Sequence, residues 1–387
     1  MTDDGRTRLE FSPPFLGEEE IAEVTEALRS GWISLGPRTR QFEAAFAEYL
    51  GAPAALGLSS CTAGLHLALI VLKIGPGDEV IVPTMTFCST ANAVEHVGAK
   101  PVLVDVEADT LNIDPEAVEN AITERTKAIM VVHYGGHPAD LNTLQAIADR
   151  HGLAVVEDAA HALPARYEGR TVGATPNLTS FSFYATKNLT TGEGGMLTGD
   201  PALVDRARPL SLHGIQTGAW DRHSKGGTWY YEVVAPGYKY NMTDLEAALG
   251  MCQLKKLDGM QARRREIVDL YREGFGGVEG LELPVARHGV EPAWHLFPIR
   301  VRPDVLGIDR DQFVHGLTEQ GIGTSVHFIP LHVQPYYQEK YGLTTEDFSV
   351  AHDAFERLVT IPLHPGLSDE DCERIVDAIR KVICAGN

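Results

Sequence analysis

Between residues 60 and 160 the chain alternates helix-like and strand-like stretches, and this rhythm limits the possible fold more than any other feature. An apolar run, TAGLHLALIVLK, with Thr62 as its expected N-cap, stops at Gly75-Pro76-Gly77 and gives way to the strand-like EVIVP. A helical stretch from about Phe87 to His96, the strand PVLVD, a helix opened by Asp114-Pro115, and the strand KAIMVV come next. A further helix leads into LAVVED, which ends on Asp158. Strands rich in Val and Ile that alternate with helices build a mostly parallel sheet covered on both faces, and such sheets bind ligands at the carboxyl ends of their strands. The pattern predicts a doubly wound α/β domain with Asp158 on its ligand-binding edge.

On either side of this block the periodicity changes. FLGEEEIAEVTEALRSG reads as an amphipathic helix in which Ile21, Val24 and Leu28 share a face, the acids occupy the first turn and Gly31 closes the end. A long helix beginning near Thr243, DLEAALGMCQLKKLDGMQARRREIVDLY, is expected to bridge a large domain, residues 1–250, and a smaller C-terminal α/β domain, residues 251–387. The latter mixes short strands such as LFPIRV with helices, the last beginning at Ser368.

Composition removes several function classes. At 387 residues and 44% hydrophobic, the chain can bury a large core without covalent staples. Its net charge of -20 opposes binding of nucleic acid, which requires a clustered basic face. The five cysteines, Cys61, Cys88, Cys252, Cys372 and Cys384, are odd in number and form no CxxC pair, so neither a disulfide framework nor a metal site is indicated. The acidic N-terminus lacks a signal peptide's basic start and apolar run, and no stretch is long enough to span a bilayer. A cytoplasmic protein is expected.

The chemistry-bearing stretch is FSFYATKNLTTGEGG, residues 181–195. Lys187 lies between an aromatic strand and a Gly-rich turn, where packing can hold it still and partly dry, lowering the cost of a neutral amine able to attack an aldehyde. A lone lysine is ordinarily a surface residue; here three further features converge on it. The small-residue turn Ser59-Ser60-Cys61-Thr62-Ala63-Gly64 opens a helix and offers N–H groups to a phosphate. Asp158, in isolation more often a helix cap, could pair with a pyridinium nitrogen. Phe87, by default a core residue, could stack on an aromatic cofactor.

Together SSCTAGLHLAL, VPTMTFCSTANAV, VHYGGHPADL, VVEDAAHAL, FSFYATKN with GEGG, and GYKYNMTDLEAALG resemble the DegT/DnrJ/EryC1/StrS family of sugar aminotransferases, of fold-type I, from about Phe11 to the last helix. The resemblance implies that pyridoxal 5'-phosphate (PLP) is bound through a Schiff base to Lys187, which also shuttles the proton. It further implies that Asp158 binds the ring nitrogen, Phe87 stacks on one ring face, and Thr62, Ala63 and Ser182 hold the phosphate. His161 resembles the branch with His near the phenolic oxygen. Asn241, or its neighbour Lys239, would reach a phosphate across a homodimer interface, so that active sites are shared. Ser34, Leu35, Gly36 and His327 match positions bordering the substrate; for His327 a structural role in a turn is an equal alternative, and His332 and His213 are weaker candidates.

The implied reaction passes an amino group from L-glutamate, through the pyridoxamine form, to a nucleotide-linked keto sugar. GYKYN, EDAAHA and GIGTSVHFIPLH are closest to the C4 branch, acting on dTDP- or UDP-linked 4-keto sugars destined for a glycosylated natural product or cell-envelope glycan. The alternatives are a C3 aminotransferase and a non-catalytic PLP-binding regulator, the latter disfavoured by the presence of both Lys187 and Asp158. A P-loop hydrolase is disfavoured because TTGEGG lacks the Gly-Lys-Ser/Thr ending.

Overall fold

The computed structural model of the chain describes residues 8–216 and 229–386. Its main sheet has seven strands: β1 (Ala55–Leu58), β2 (Glu79–Pro83), β3 (Lys100–Val104), β4 (Thr126–Val132), β5 (Ala154–Asp158), β6 (Leu178–Ser182) and β7 (Gly195–Thr198). Their order is β1-β7-β6-β5-β4-β2-β3, with parallel pairing from β3 through β6 and antiparallel pairing of β7 with both neighbours. Eight helices accompany it up to residue 275 among the described residues: α1 (Glu18–Arg29), α2 (Pro37–Leu50), α3 (Cys61–Val71), α4 (Ser89–His96), α5 (Pro115–Ala121), α6 (Leu141–His151), α7 (Pro201–Leu210) and α8 (Asp244–Phe275).

Two-residue periodicity sorts the strand side chains between two cores. Val80, Val82, Ala128, Met130 and Val156 pack with residues of α3, α4 and α7, whereas Ile81, Ile129, Val131 and Val155 pack with α5 and α6. Asp158 shares the parity of Val156 and therefore points toward α3 and α4. A third core joins α2 and α8 to β6 and β7 through Phe42, Phe46, Phe181, Met196 and Leu257.

Helix α8 is continuous across two cores. Ala247, Leu257 and Met260 belong to the α2 core; Ile267, Val268, Tyr271 and Phe275 belong to a C-terminal core with Phe297, Phe313, Ile375 and Ile379. The expected division at residue 250 thus falls inside an unbroken helix, and the change of core lies between Met260 and Ile267. The C-terminal part carries an antiparallel sheet of Leu281–Glu282, Phe297–Val301 and Leu358–Ile361. Leu9 packs against this core from the N-terminus.

Three local expectations are corrected. The N-cap of α3 is Ser60, whose backbone is extended and whose Oγ accepts from the Ala63 N–H, so Thr62 is already the second helical residue. Helix α4 starts at Ser89, leaving Phe87 in the preceding turn. The Ile21–Leu28 face of α1 is not its packed face: Ile21 and Leu28 are 59% and 55% exposed, while Glu20 and Ala27 are buried. Glu20 is drawn inward by hydrogen bonds from Lys256 and Gln253 on α8, which outweigh the apolar stripe. Among the described residues no helix is long and apolar enough to cross a membrane.

The start of α8 is fixed by a buried carboxylate. Asp244 Oδ1 accepts from the backbone N–H of Gly36 and Thr39, both at 2.9 Å, and from Thr39 Oγ1 at 2.8 Å, while Oδ2 accepts from the Arg38 N–H at 3.1 Å. A Cβ at Gly36 would stand 1.9 Å from Trp32 Nε1 and 2.7 Å from Asp244 Oδ2, which explains the glycine. Removing the carboxylate strands four donors, three of them wholly or nearly out of water. Asp244→Ala is expected to lower stability by about 3 kcal/mol or more, measured as a shift of the urea unfolding midpoint; a variant with the parent's midpoint would refute this anchor.

Candidate active site

The carboxyl ends of β4, β5 and β6, the start of α3 and the loop after β6 enclose a cavity of about 510 Å³. Its lining includes Thr62, Phe87, Asp158, His161, Ser182, Lys187 and His327, seven of the residues expected from sequence. Glycine makes the α3 corner possible: a Cβ on Gly195 would lie 2.4 Å from the carbonyl carbon of Ser60, so only glycine lets β7 approach the helix start this closely. The first turn of α3, with its N–H groups and positive dipole end, faces the cavity through Thr62, while Ala63 sits just behind, its N–H held by Ser60 Oγ at 3.1 Å.

Lys187 extends from a loop pinned at both ends. Its N–H donates to Tyr184 O and the Thr191 N–H to Phe183 O, each at 2.9 Å. The next residue, Asn188, is buried, and its Nδ2 donates to Leu163 O at 2.9 Å and Ala293 O at 2.8 Å. Desolvation brings the Lys187 amine down to about 8, against the opposing pull of Cys61 and Asp158. The amine therefore gives up its proton far more readily than an exposed lysine.

Asp158 is 4% exposed. Thr90 Oγ1 donates to its Oδ2 at 2.8 Å and the Ala160 N–H donates to Oδ1 at 3.2 Å, with the Cys61 thiol 3.7 Å from Oδ1. Burial and the nearby Asp158 push the Cys61 thiol well up, so it stays an uncharged filler beneath the carboxylate.

Three histidines line the far wall. Because both Asn188 amide hydrogens are committed to carbonyls, its Oδ1 must accept from His295 Nδ1, 3.1 Å away, which leaves the lone pair of His295 on Nε2. The rings of His161 and His295 lie 4.4 Å apart, and His161 stacks on Phe328 at 5.5 Å. His161 Nδ1 is buried without a partner. An orphaned lone pair costs less than an orphaned N–H, so the hydrogen belongs on Nε2. Burial, then neighbouring charge, holds His161 and His295 well below the ordinary imidazole range and brings His327 down to about 4. His327 stacks on Phe11 at 5.4 Å, its Nδ1 is 3.2 Å from Thr360 Oγ1, and its carbonyl accepts from the Tyr134 hydroxyl.

Other expected residues lie outside the cavity of this chain. Ser34, Leu35 and Gly36 precede α2, where Ser34 O accepts from the Asp244 N–H. Asn241 is buried beside β1; Lys239 Nζ donates to its Oδ1 at 2.6 Å and its Nδ2 donates to Met242 O at 3.1 Å. His332 is buried, bonded through Nδ1 to Thr84 Oγ1, and His213 accounts for a backbone bond to Tyr238 O. Sequence reading missed Thr90, Tyr184, His295 and Phe328. The Thr86–Thr90 spacing at the mouth of α4 was a usable signal; His295 and Phe328 reach the site only through tertiary packing.

The donor set fits PLP: a partly neutral buried lysine for the aldehyde, a multiply bonded carboxylate for the ring nitrogen, a helix start for the phosphate and an imidazole N–H for the phenolic oxygen. Comparisons with known proteins agree. Residues 14–380 match the model of the DegT/DnrJ/EryC1/StrS aminotransferase family. The chain is 50% identical over 377 residues to the spore coat polysaccharide biosynthesis protein SpsC of Bacillus subtilis, covering 97% of each. Among solved structures it resembles the putative sugar aminotransferase Spr1654 of Streptococcus pneumoniae in its PMP form, with a TM-score of 0.92, 37% identity and coverage of 98% of this chain and 100% of that one. It also resembles Helicobacter pylori PseC, an aminotransferase involved in pseudoaminic acid biosynthesis, with a TM-score of 0.90, 28% identity and coverage of 98% and 100%.

The lowered basicity of Lys187 sets a pH dependence. Below about 8 the amine is protonated and cannot attack; above it the lone pair is free. Covalent capture of PLP by the apoprotein, followed by stopped-flow absorbance, is expected to accelerate about tenfold per pH unit on the acid side and level off above about 8. A rate still rising at pH 10 would mean that the amine is not desolvated.

Proposed function

We propose that this chain, which belongs to the DegT/DnrJ/EryC1/StrS aminotransferase family, transfers an amino group from L-glutamate to a nucleotide-linked 4-keto-6-deoxyhexose, giving a 4-amino sugar nucleotide. The chain is a PLP-dependent sugar aminotransferase. The observation carrying the proposed transfer is the placement of Lys187 and Asp158 on one cavity that continues past neutral histidines to an aromatic mouth of Phe87, Tyr184 and Phe328. Such a wall suits an uncharged keto sugar better than a second charged amino acid.

PLP held there would supply an aldehyde that can carry an amino group and a ring that can act as electron sink. Lys187 Nζ would hold the cofactor's aldehyde and, as a free amine, would move a proton to and from the substrate carbon that bears nitrogen. Asp158 would pair with the ring nitrogen, His161 would face the phenolic oxygen and Phe87 a ring face, and Thr62 and Ser182, with Ala63 behind them, would hold the phosphate at the start of α3. His327 borders the sugar, and Ser34, Leu35 and Gly36, outside their own chain's cavity, would do so across a subunit interface.

A homodimer completes the site in this reading. Asn241 lies outside its own chain's cavity, and Lys239 orients its amide, leaving one Nδ2 hydrogen for a phosphate bound by the partner subunit. Phe15, Leu16, Ile21, Leu28 and Ile33 are all 45% exposed or more, an apolar surface of the kind subunit contacts cover. The five cysteines are all free, which suits a reducing cytoplasm. The relative named for spore coat polysaccharide favours a cell-surface glycan as the destination of the product.

Two outcomes test this reading. The pyridoxamine form should be returned to the aldehyde form by dTDP- or UDP-linked 4-keto sugars; conversion by 3-keto sugars alone would overturn the C4 assignment. Co-expressed Lys187→Ala and Asn241→Ala subunits should regain activity that neither variant has alone, because one site of the mixed dimer is intact. Absence of such complementation in a confirmed mixed dimer would exclude a shared site.

A further inference from the structure

Asp158 is held by a relay of hydroxyls. Thr90, the second residue of α4, is 0% exposed and Thr86, in the turn before it, is 1% exposed. Thr86 Oγ1 and Thr90 Oγ1 are 2.7 Å apart, and Thr90 Oγ1 is 2.8 Å from Asp158 Oδ2. The single hydroxyl hydrogen of Thr90 can serve only one of these contacts. An ionised carboxylate accepts and cannot donate, so Thr90 gives its hydrogen to Asp158 and must accept from Thr86. The relay is thereby directed: Thr86 to Thr90 to Oδ2. The other oxygen accepts from the Ala160 N–H at 3.2 Å; the Cys61 thiol is 3.7 Å from it and nearer Ser180 O, at 3.3 Å.

These donors come from the start of α4 and the β5 end itself. Together they fix the plane of the carboxylate, and Asp158 lines the cavity with its remaining lone pairs. A threonine elsewhere in the first turn of a helix would use its hydroxyl on the helix's own backbone. Here the Thr90 hydroxyl is spent on a residue 68 positions away, and the Thr86 hydroxyl on Thr90.

We propose that Thr90, backed by Thr86, is a positioning residue for the reaction: by donating a hydrogen bond to Oδ2 it orients the Asp158 carboxylate toward the ring nitrogen of PLP. The inference rests on the reading of Asp158 as the ring-nitrogen partner, and is independent of which sugar is the acceptor. Thr90→Val removes the hydroxyl with little change of shape; Thr90→Ser keeps it. A hydrogen bond to a charged group is worth roughly a tenfold change in an equilibrium constant, or somewhat more.

The test uses apoprotein titrated with PLP and the 15N signal of PLP labelled at the ring nitrogen. For Thr90→Val the dissociation constant is expected to rise about tenfold, with the ring signal moving at neutral pH from its protonated toward its unprotonated position. Thr90→Ser is expected to stay within about threefold of the parent with the ring still protonated. Valine matching the parent in both measurements, or serine losing as much as valine, would overturn the proposal. If Thr90→Val does not fold, Thr86→Val decides: it should weaken binding severalfold, and an unchanged affinity and ring signal would refute the relay. A parent protein whose own ring nitrogen is unprotonated would instead refute the role of Asp158, a separate failure.

Discussion

Desolvation of one amine is the constraint around which the site is arranged. An ammonium taken from water is penalised unless it is paired closely, and Lys187 has Asp158 and Cys61 near it without a close ion pair. The result is a lysine that loses its proton near 8 and can act as a nucleophile. The surrounding histidines obey the same rule: His161, His295 and His327 all stay neutral because burial disfavours their charged forms. In the cavity lining the ionisable groups besides these histidines and the Cys61 thiol are Lys187, Asp158 and Glu193, and Phe87, Tyr184 and Phe328 add an aromatic wall.

Holding that pair still is the task of residues outside the cavity. Asn188 ties the lysine loop to both the 163 turn and the 293–295 segment, which is itself gripped from several sides. Gln261 Nε2 donates to Pro292 O at 3.0 Å, the Ala293 N–H to Gly136 O at 2.9 Å, and Arg264 Nη1 to Trp294 O at 3.2 Å. Trp294 takes a φ of +47°, a conformation costly for a bulky residue and sustained here by those bonds. Arg264 also donates to Leu363 O at 2.7 Å, and burial lowers its guanidinium to about 9. It lies on α8 where that helix passes from one core to the other, so the same residue links the domain junction to the histidine wall.

Much of this arrangement was legible in the residues. Strand parity and the end of a Val-rich run placed Asp158 correctly, and the aromatic strand with its Gly-rich turn marked Lys187, because both signals are local. The failures have physical causes. The cap of α3 was read two residues late because Thr62 and Ser60 are both good caps and only backbone conformation separates them. The packed face of α1 was misread because a buried Glu20 with partners on α8 reverses what hydrophobicity alone suggests. His295, Thr90 and Phe328 gained their positions through contacts 68 or more residues apart, which no window of sequence contains. Asn241 and Ser34–Gly36 carry the opposite lesson: family resemblance marked them, and they lie outside the cavity of their own chain.

The most direct measurement of the central claim is peptide mapping by mass spectrometry after borohydride reduction of the PLP-loaded protein. Reduction should leave the added mass on the peptide containing Lys187, and the Lys187→Ala variant should carry none. The label on any other lysine, or an equal label in the alanine variant, would contradict the account.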